Sequence, residues 1–140
     1  MSVYTEIVIS CQLNVDTPSV VLDDIKQWLG LSADDIDLSK RQWFYDTFNI
    51  ASYPQPGTIY RSLESGLNGY FLTLRSKIKN YDHDIEKFLI QLAPYNNISG
   101  FVGYVRNEFD EYPSLVFFRD KKVFYKKITA YIEIEVVTNP

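Results

Sequence analysis

Few side chains in this sequence can do chemistry near neutral pH. His83 is the only histidine and Cys11 the only cysteine, 72 positions apart. A structural zinc site needs clustered Cys and His ligands, so no such local motif exists here. Asp34, Asp35 and Asp37 form a small acidic group. An EF-hand loop counted from Asp35 would place Gly and Glu where Lys40 and Asp46 stand, so calcium chemistry is not expected. G-x-S-x-G, G-x-G-x-x-G and G-x-x-x-x-G-K-[ST] are all missing from the sequence. Cys11 alternates with Ile7, Ile9 and Leu13, which predicts a small buried hydrophobe rather than an activated nucleophile. His83 reads as a surface histidine at a helix start. No catalytic set, metal site or cofactor is expected.

Side chains suited to binding are more plentiful. Arg75 and Arg106, with Tyr104, are expected on the same face of a sheet. If their strands are neighbours, the two guanidinium groups could clamp a carboxylate or phosphate. A second group is aromatic: Trp43, Phe44, Tyr45, Phe48, Tyr53 and Tyr60 fall within eighteen residues. Some of these must pack as a satellite core. Those left exposed, with Trp43, Tyr45, Tyr53 and Tyr60 as candidates, would be interface anchors. A third group is basic: Arg119, Lys121, Lys122, Lys126 and Lys127 lie within nine residues, beside Phe117, Phe118, Phe124 and Tyr125. Aromatic and basic residues interleave in this way in single-strand nucleic-acid binders. The chain lacks an RNP-type consensus and carries a formal charge of −4, so the reading is a charged hairpin rather than a nucleic-acid site.

The elements that would position these groups follow from periodicity. Residues 4–14 alternate as a strand, with Ile7, Ile9, Cys11 and Leu13 on one face. Thr17 as N-cap and Pro18 at the first helical position predict a helix over 18–29, striped by Val21, Ile25, Trp28 and Leu29 and stopped at Gly30. Residues 31–56 read as helix or loop, with a second amphipathic piece near 39–49. A short strand near 58–63 and turn chemistry at Ser65-Gly66 and Asn68-Gly69 precede a clear strand over 69–79. Asp82 can cap a helix running to about Ala93, with Ile85, Phe88, Leu89 and Leu92 inward. Extended segments are expected near 100–108, 114–119 and 129–137, and a hairpin is expected into Val123-Phe124-Tyr125. Glu133 and Glu135 alternate with Ile132, Ile134 and Val136, as in a half-exposed strand. The two strand–helix units match in pattern at a shift of 64–65 residues, but their residue identity is low and the likeness is that of any two strand–cap–helix units.

The order predicts one α+β domain over 1–140, a ferredoxin-like βαββαβ sandwich. Its sheet is mainly antiparallel, with helices on one face and a C-terminal β extension. The open face would carry Val8, Ser10, Gln12, Thr73, Arg75, Lys77, Tyr104 and Arg106. At 140 residues, with 46% hydrophobic and 23% charged residues, the chain can support one ordinary core. A single cysteine, no basic leader and no long apolar run predict a soluble cytoplasmic protein without a membrane segment.

The leading functional expectation is a non-catalytic module that binds a protein: an accessory, inhibitor or immunity-type protein, with a homodimer as one form. Alternatives are a small-ligand sensor taking an anion on the open face, and a cofactor-free enzyme of dimeric ferredoxin-like type. His83, Tyr104, Arg75 and Arg106 would be that enzyme's only candidate groups.

Overall fold

Alternation of apolar and polar residues builds the centre of the molecule. The computed structural model describes residues 4–31, 60–78, 80, 83–128 and 132–136. In strand β1 (Thr5–Asn14), Ile7, Ile9 and Leu13 are buried, and the residues between them are less so. The same rule orders β3 (Gly69–Ile78), where Leu72, Leu74, Ser76 and Ile78 point inward. The remaining strands are β2 (Tyr60–Gly66), β4 (Gly100–Asn107), β5 (Ser114–Arg119) and β6 (Lys122–Lys127). Together they form a six-stranded sheet in the order β2-β3-β1-β4-β5-β6, every pairing antiparallel. The architecture is therefore α+β, with two described α-helices and an antiparallel sheet.

Helix α1 (Ser19–Leu29) and helix α2 (Asp84–Leu92) bury their stripes against this sheet. Leu22, Ile25 and Leu29 of α1 join Ile85, Phe88, Leu89 and Leu92 of α2 in one apolar cluster with Ile7, Ile9, Leu72 and Leu74. Val21 and Trp28 are only half-buried, packing at the margin of that cluster, so Leu22 takes the inward place expected of Val21. Both helices thus share one sheet face. Val116 and Phe118 of β5 extend the core past β4.

The helix ends differ from the sequence expectation. Pro18, not Thr17, holds the cap position of α1. The Thr17 hydroxyl instead donates to the carbonyl of Asn14 at 2.6 Å and closes the preceding turn. Gly30 does stop the helix, left-handed at φ 69°, and the Leu31 N–H reaches the Lys26 carbonyl at 2.8 Å. The cap of α2 is His83, at φ 55°, in place of the expected Asp82. Asn80 serves the exposed helix start: its Oδ1 accepts from the Ile85 N–H at 2.9 Å. Helix α2 ends at Leu92 and tightens into a 3-10 turn over Ala93–Tyr95 that includes Pro94.

Glycine matters most at Gly103. Its φ is 154°, and a Cβ there would lie 1.9 Å from the Val8 carbonyl oxygen. β4 therefore lies close against β1 at this point, beside an irregularity in the β4–β5 register between Phe101 and Gly103. The expected strand over 129–137 is not found where it is described. Residues 132–136 join no ladder, and Ile132, Ile134 and Val136 are exposed. Alternation sets which way a strand's side chains point, and it cannot by itself supply a pairing partner. The expected helix near 39–49 and the acidic group Asp34, Asp35 and Asp37 lie outside the described residues, as does Asp82.

Candidate functional site

The sheet face away from the helices brings three of the sequence-predicted groups together. Its geometry follows from register. Val8 stands opposite Arg75 on one side and Tyr104 on the other. One step along β1 on the same face, Glu6 stands opposite Lys77 and Arg106. In the other direction Ser10 faces Thr73, and Gln12 faces Phe71. The predicted residues Arg75, Tyr104 and Arg106 all project from this face.

Arg75 and Arg106 do not sit on neighbouring strands, because β1 runs between β3 and β4. Two strand spacings, roughly 9.5 Å, separate their backbones across the sheet. Tyr104 and Glu6 fill the ground between them. Burial raises the Tyr104 pKa first, and the charge and hydrogen bond of the Glu6 carboxylate add to it, while Arg75 and Arg106 pull the other way. Tyr104 therefore stays a neutral donor with its proton directed at Glu6. At the end of this row Tyr4, Glu6, Lys77, Arg106 and Glu108 line a notch of about 60 Å³. That volume suits a water or a single ion, not a metabolite.

The face continues over β5 and β6, so the basic and aromatic residues expected to form a separate charged hairpin belong to it. Tyr104 faces Leu115, which faces Lys126. Phe101 faces Phe117, which faces Phe124. The rings of Phe101 and Phe117 meet edge to face, with centroids 5.7 Å apart. Lys126 lies over the Phe117 ring at 4.2 Å, and Arg119 over the Phe124 ring at 4.4 Å. Period-two spacing of Leu115, Phe117 and Arg119, and of Lys122, Phe124 and Lys126, was the signal that joins them to the open face.

A second, polar cleft opens on the helix side. Thr5, Asn80, His83, Glu86, Asn107, Ser114 and Tyr125 are among the groups lining about 400 Å³. Glu86 is its hub. It accepts from the Tyr125 hydroxyl at 2.5 Å and from Asn80 Nδ2 at 2.8 Å, with His83 Nδ1 at 3.5 Å. Burial and the Glu86 carboxylate raise the Tyr125 pKa, so this tyrosine too stays protonated. Glu86 carried no signal in the sequence, and Tyr125 stood out only as a neighbour of the basic hairpin group. Their meeting depends on α2 packing beside β6, a contact spanning 39 positions.

The sheet divides the groups that an enzyme reading would combine. His83 belongs to the helix-side cleft, while Arg75, Tyr104 and Arg106 lie on the opposite face. Among the described residues no group of three or more His, Cys, Asp or Glu side chains could hold a metal ion. No described helix is long and apolar enough to cross a membrane. Trp43, Tyr45 and Tyr53 lie outside the described residues; Tyr60 is placed by its backbone, opposite Arg75. Comparison with protein-family models, characterised proteins and solved structures finds no match for this chain.

Proposed function

We propose that the protein is a non-catalytic binding module whose open sheet face docks a protein partner through an acidic surface. One observation carries the reading: the face reverses the charge of the chain. By register it presents Arg75, Lys77, Arg106, Arg119, Lys122 and Lys126 against Glu6 and Glu64, with Glu108 at the notch, on a molecule of net charge −4. Apolar rings lie among these charges, with Phe71 at 47% and Phe101 at 59% exposure. Rigid aromatics flanked by arginine are the usual anchors of protein interfaces.

Nucleic acid is the less favoured occupant. Base stacking needs open ring faces, and Lys126 and Arg119 already lie over Phe117 and Phe124. A small anion between Arg75 and Arg106 is disfavoured by the intervening β1 and the negative Glu6. A ferredoxin-like sandwich is the framework we infer. Its support is the order β2-β3-β1-β4 among strands arranged βαββαβ, with β5 and β6 as the extension. The lone cysteine favours a reducing, cytoplasmic setting.

The test compares capture from native extract by the wild-type chain and by Arg75→Glu/Arg106→Glu, both checked for folding by circular dichroism. A stoichiometric acidic protein retained at low salt, released at high salt and lost with the double variant is the expected result. Equal capture by both proteins would overturn the reading, as would capture of nuclease-sensitive material or no macromolecule at all.

A further inference from the structure

We infer that residues 132–136 of one copy add as a strand to the free edge of β6 in a second copy, and that the exchange is reciprocal. β6 ends the sheet order, so one row of its backbone donors and acceptors meets no described strand. Ile132-Glu133-Ile134-Glu135-Val136 joins no ladder either, with Ile132, Ile134 and Val136 at 87, 78 and 91% exposure. Three exposed β-branched residues in strict alternation are the pattern of a strand that lacks a sheet.

The two edges match on both faces. On the helix side β6 presents Val123 and Tyr125, which with Ile90 of α2 form the apolar part of a groove of about 460 Å³ that Glu86, Lys121 and Lys122 also line. Ile90 is itself 62% exposed and uncovered along this groove. On the open side β6 presents Lys122, Phe124 and Lys126. An antiparallel pairing with Ile134 opposite Tyr125 puts Val136 opposite Val123, and both apolar side chains then cover the groove. The same register puts Glu133 opposite Lys126 and Glu135 opposite Phe124, with Lys122 and Lys126 on its diagonals. A slip of one residue would turn the glutamates toward Ile90 and Glu86 and leave Ile132, Ile134 and Val136 on the open face, which disfavours it. The opposite sheet edge, β2, carries Glu64 on its open side and would repel the same segment.

The donor is a second copy rather than the same chain. Residues 128–131 read Ile-Thr-Ala-Tyr, with no Gly, Pro, Asn, Asp or Ser to reverse the chain. That composition gives no signal for a turn back along β6, and residues 132–136 pair with no described strand of their own chain. Reciprocal exchange about a two-fold axis closes both edges and leaves no arm exposed.

Sedimentation of the full chain across low to high micromolar concentration tests this. A dimer is expected, and Ile134→Lys should weaken it at least tenfold while leaving the circular dichroism spectrum of the monomer intact. Lys126→Glu should weaken it too, and adding Glu133→Lys should restore much of the loss. Separate Val123→Cys and Val136→Cys chains, mixed and oxidised, should give a covalent dimer containing one of each. A concentration-independent monomer would overturn the inference, as would a dimer indifferent to Ile134→Lys. An intrachain bond in the doubly substituted chain, without a covalent dimer, would show the segment on its own β6 and overturn it equally.

Discussion

At the scale of single residues, Cys11 makes a direct test of the packing. Cys11 is half-buried rather than fully buried, packed against the core, and desolvation there pushes its thiol from the ordinary value of 9.0 up to about 12. At pH 8 the native protein then holds almost no thiolate, and a thiol-selective reagent should label Cys11 at least tenfold faster in urea than in buffer. Equal rates would mean that the strand face is open. The sign of the stability effect follows from linkage. The folded state keeps the proton that the unfolded chain gives up, so the contribution is full below pH 9.0 and is lost as pH rises towards about 12. Which way Cys11, Arg75, Tyr104 and Arg106 point was legible in the sequence, because a period of two fixes the side of a strand. The distance between the arginines was not legible, because it depends on which strand lies between theirs. Capping was read one residue away from the truth at both helices. Thr17 and Asn80 settle their polar groups by local turns that composition does not specify.

Among the elements, the β5–β6 hairpin carries an identifiable local cost. Its two turn residues, Asp120 and Lys121, are both left-handed, at φ 53° and 62°. That is the backbone of a type I′ turn, which favours Asn-Gly or Asp-Gly. Lys121 has a Cβ where glycine fits better, so Lys121→Gly should raise stability by about 1 kcal/mol. A higher urea midpoint at unchanged slope would record it; no change would mean that the turn is already relaxed. The alternation of 114–119 and the turn-like Arg119-Asp120-Lys121-Lys122 made this hairpin legible. The alternation of 132–136 was equally clear, yet it yields no strand within the chain. Pattern encodes what a segment can pair with, and topology decides whether the pairing is within reach.

Across the whole molecule, one apolar cluster joins both helices to β1, β3, β4 and β5. Leu74 on β3 and Leu89 on α2 are 1% and 0% exposed within it. Leu74→Ala and Leu89→Ala should each cost roughly 2–5 kcal/mol. Both should shift the same cooperative transition, read alike by far-ultraviolet dichroism and by tryptophan fluorescence. Two separable transitions, or a loss below about 0.5 kcal/mol, would show that the shared core is divided. The α+β class and the antiparallel sheet were legible from the sequence order of strands and helices. The strand order was not, since it is fixed by contacts such as Ile7 with Val105, 98 positions apart.

The central place of β1 has a consequence for synthesis. This strand is made before both of its neighbours, residues 69–78 and 103–107. At about 5–20 residues per second, roughly 5–20 seconds pass between translation of β1 and of its β4 partner. Through that interval Ile7, Ile9 and Leu13 have no completed sheet to enter. The nascent chain thus carries the apolar side of its central strand unsheltered until the far half of the sheet has left the ribosome. Conditions that slow elongation should lengthen its exposure to chaperones and to aggregation.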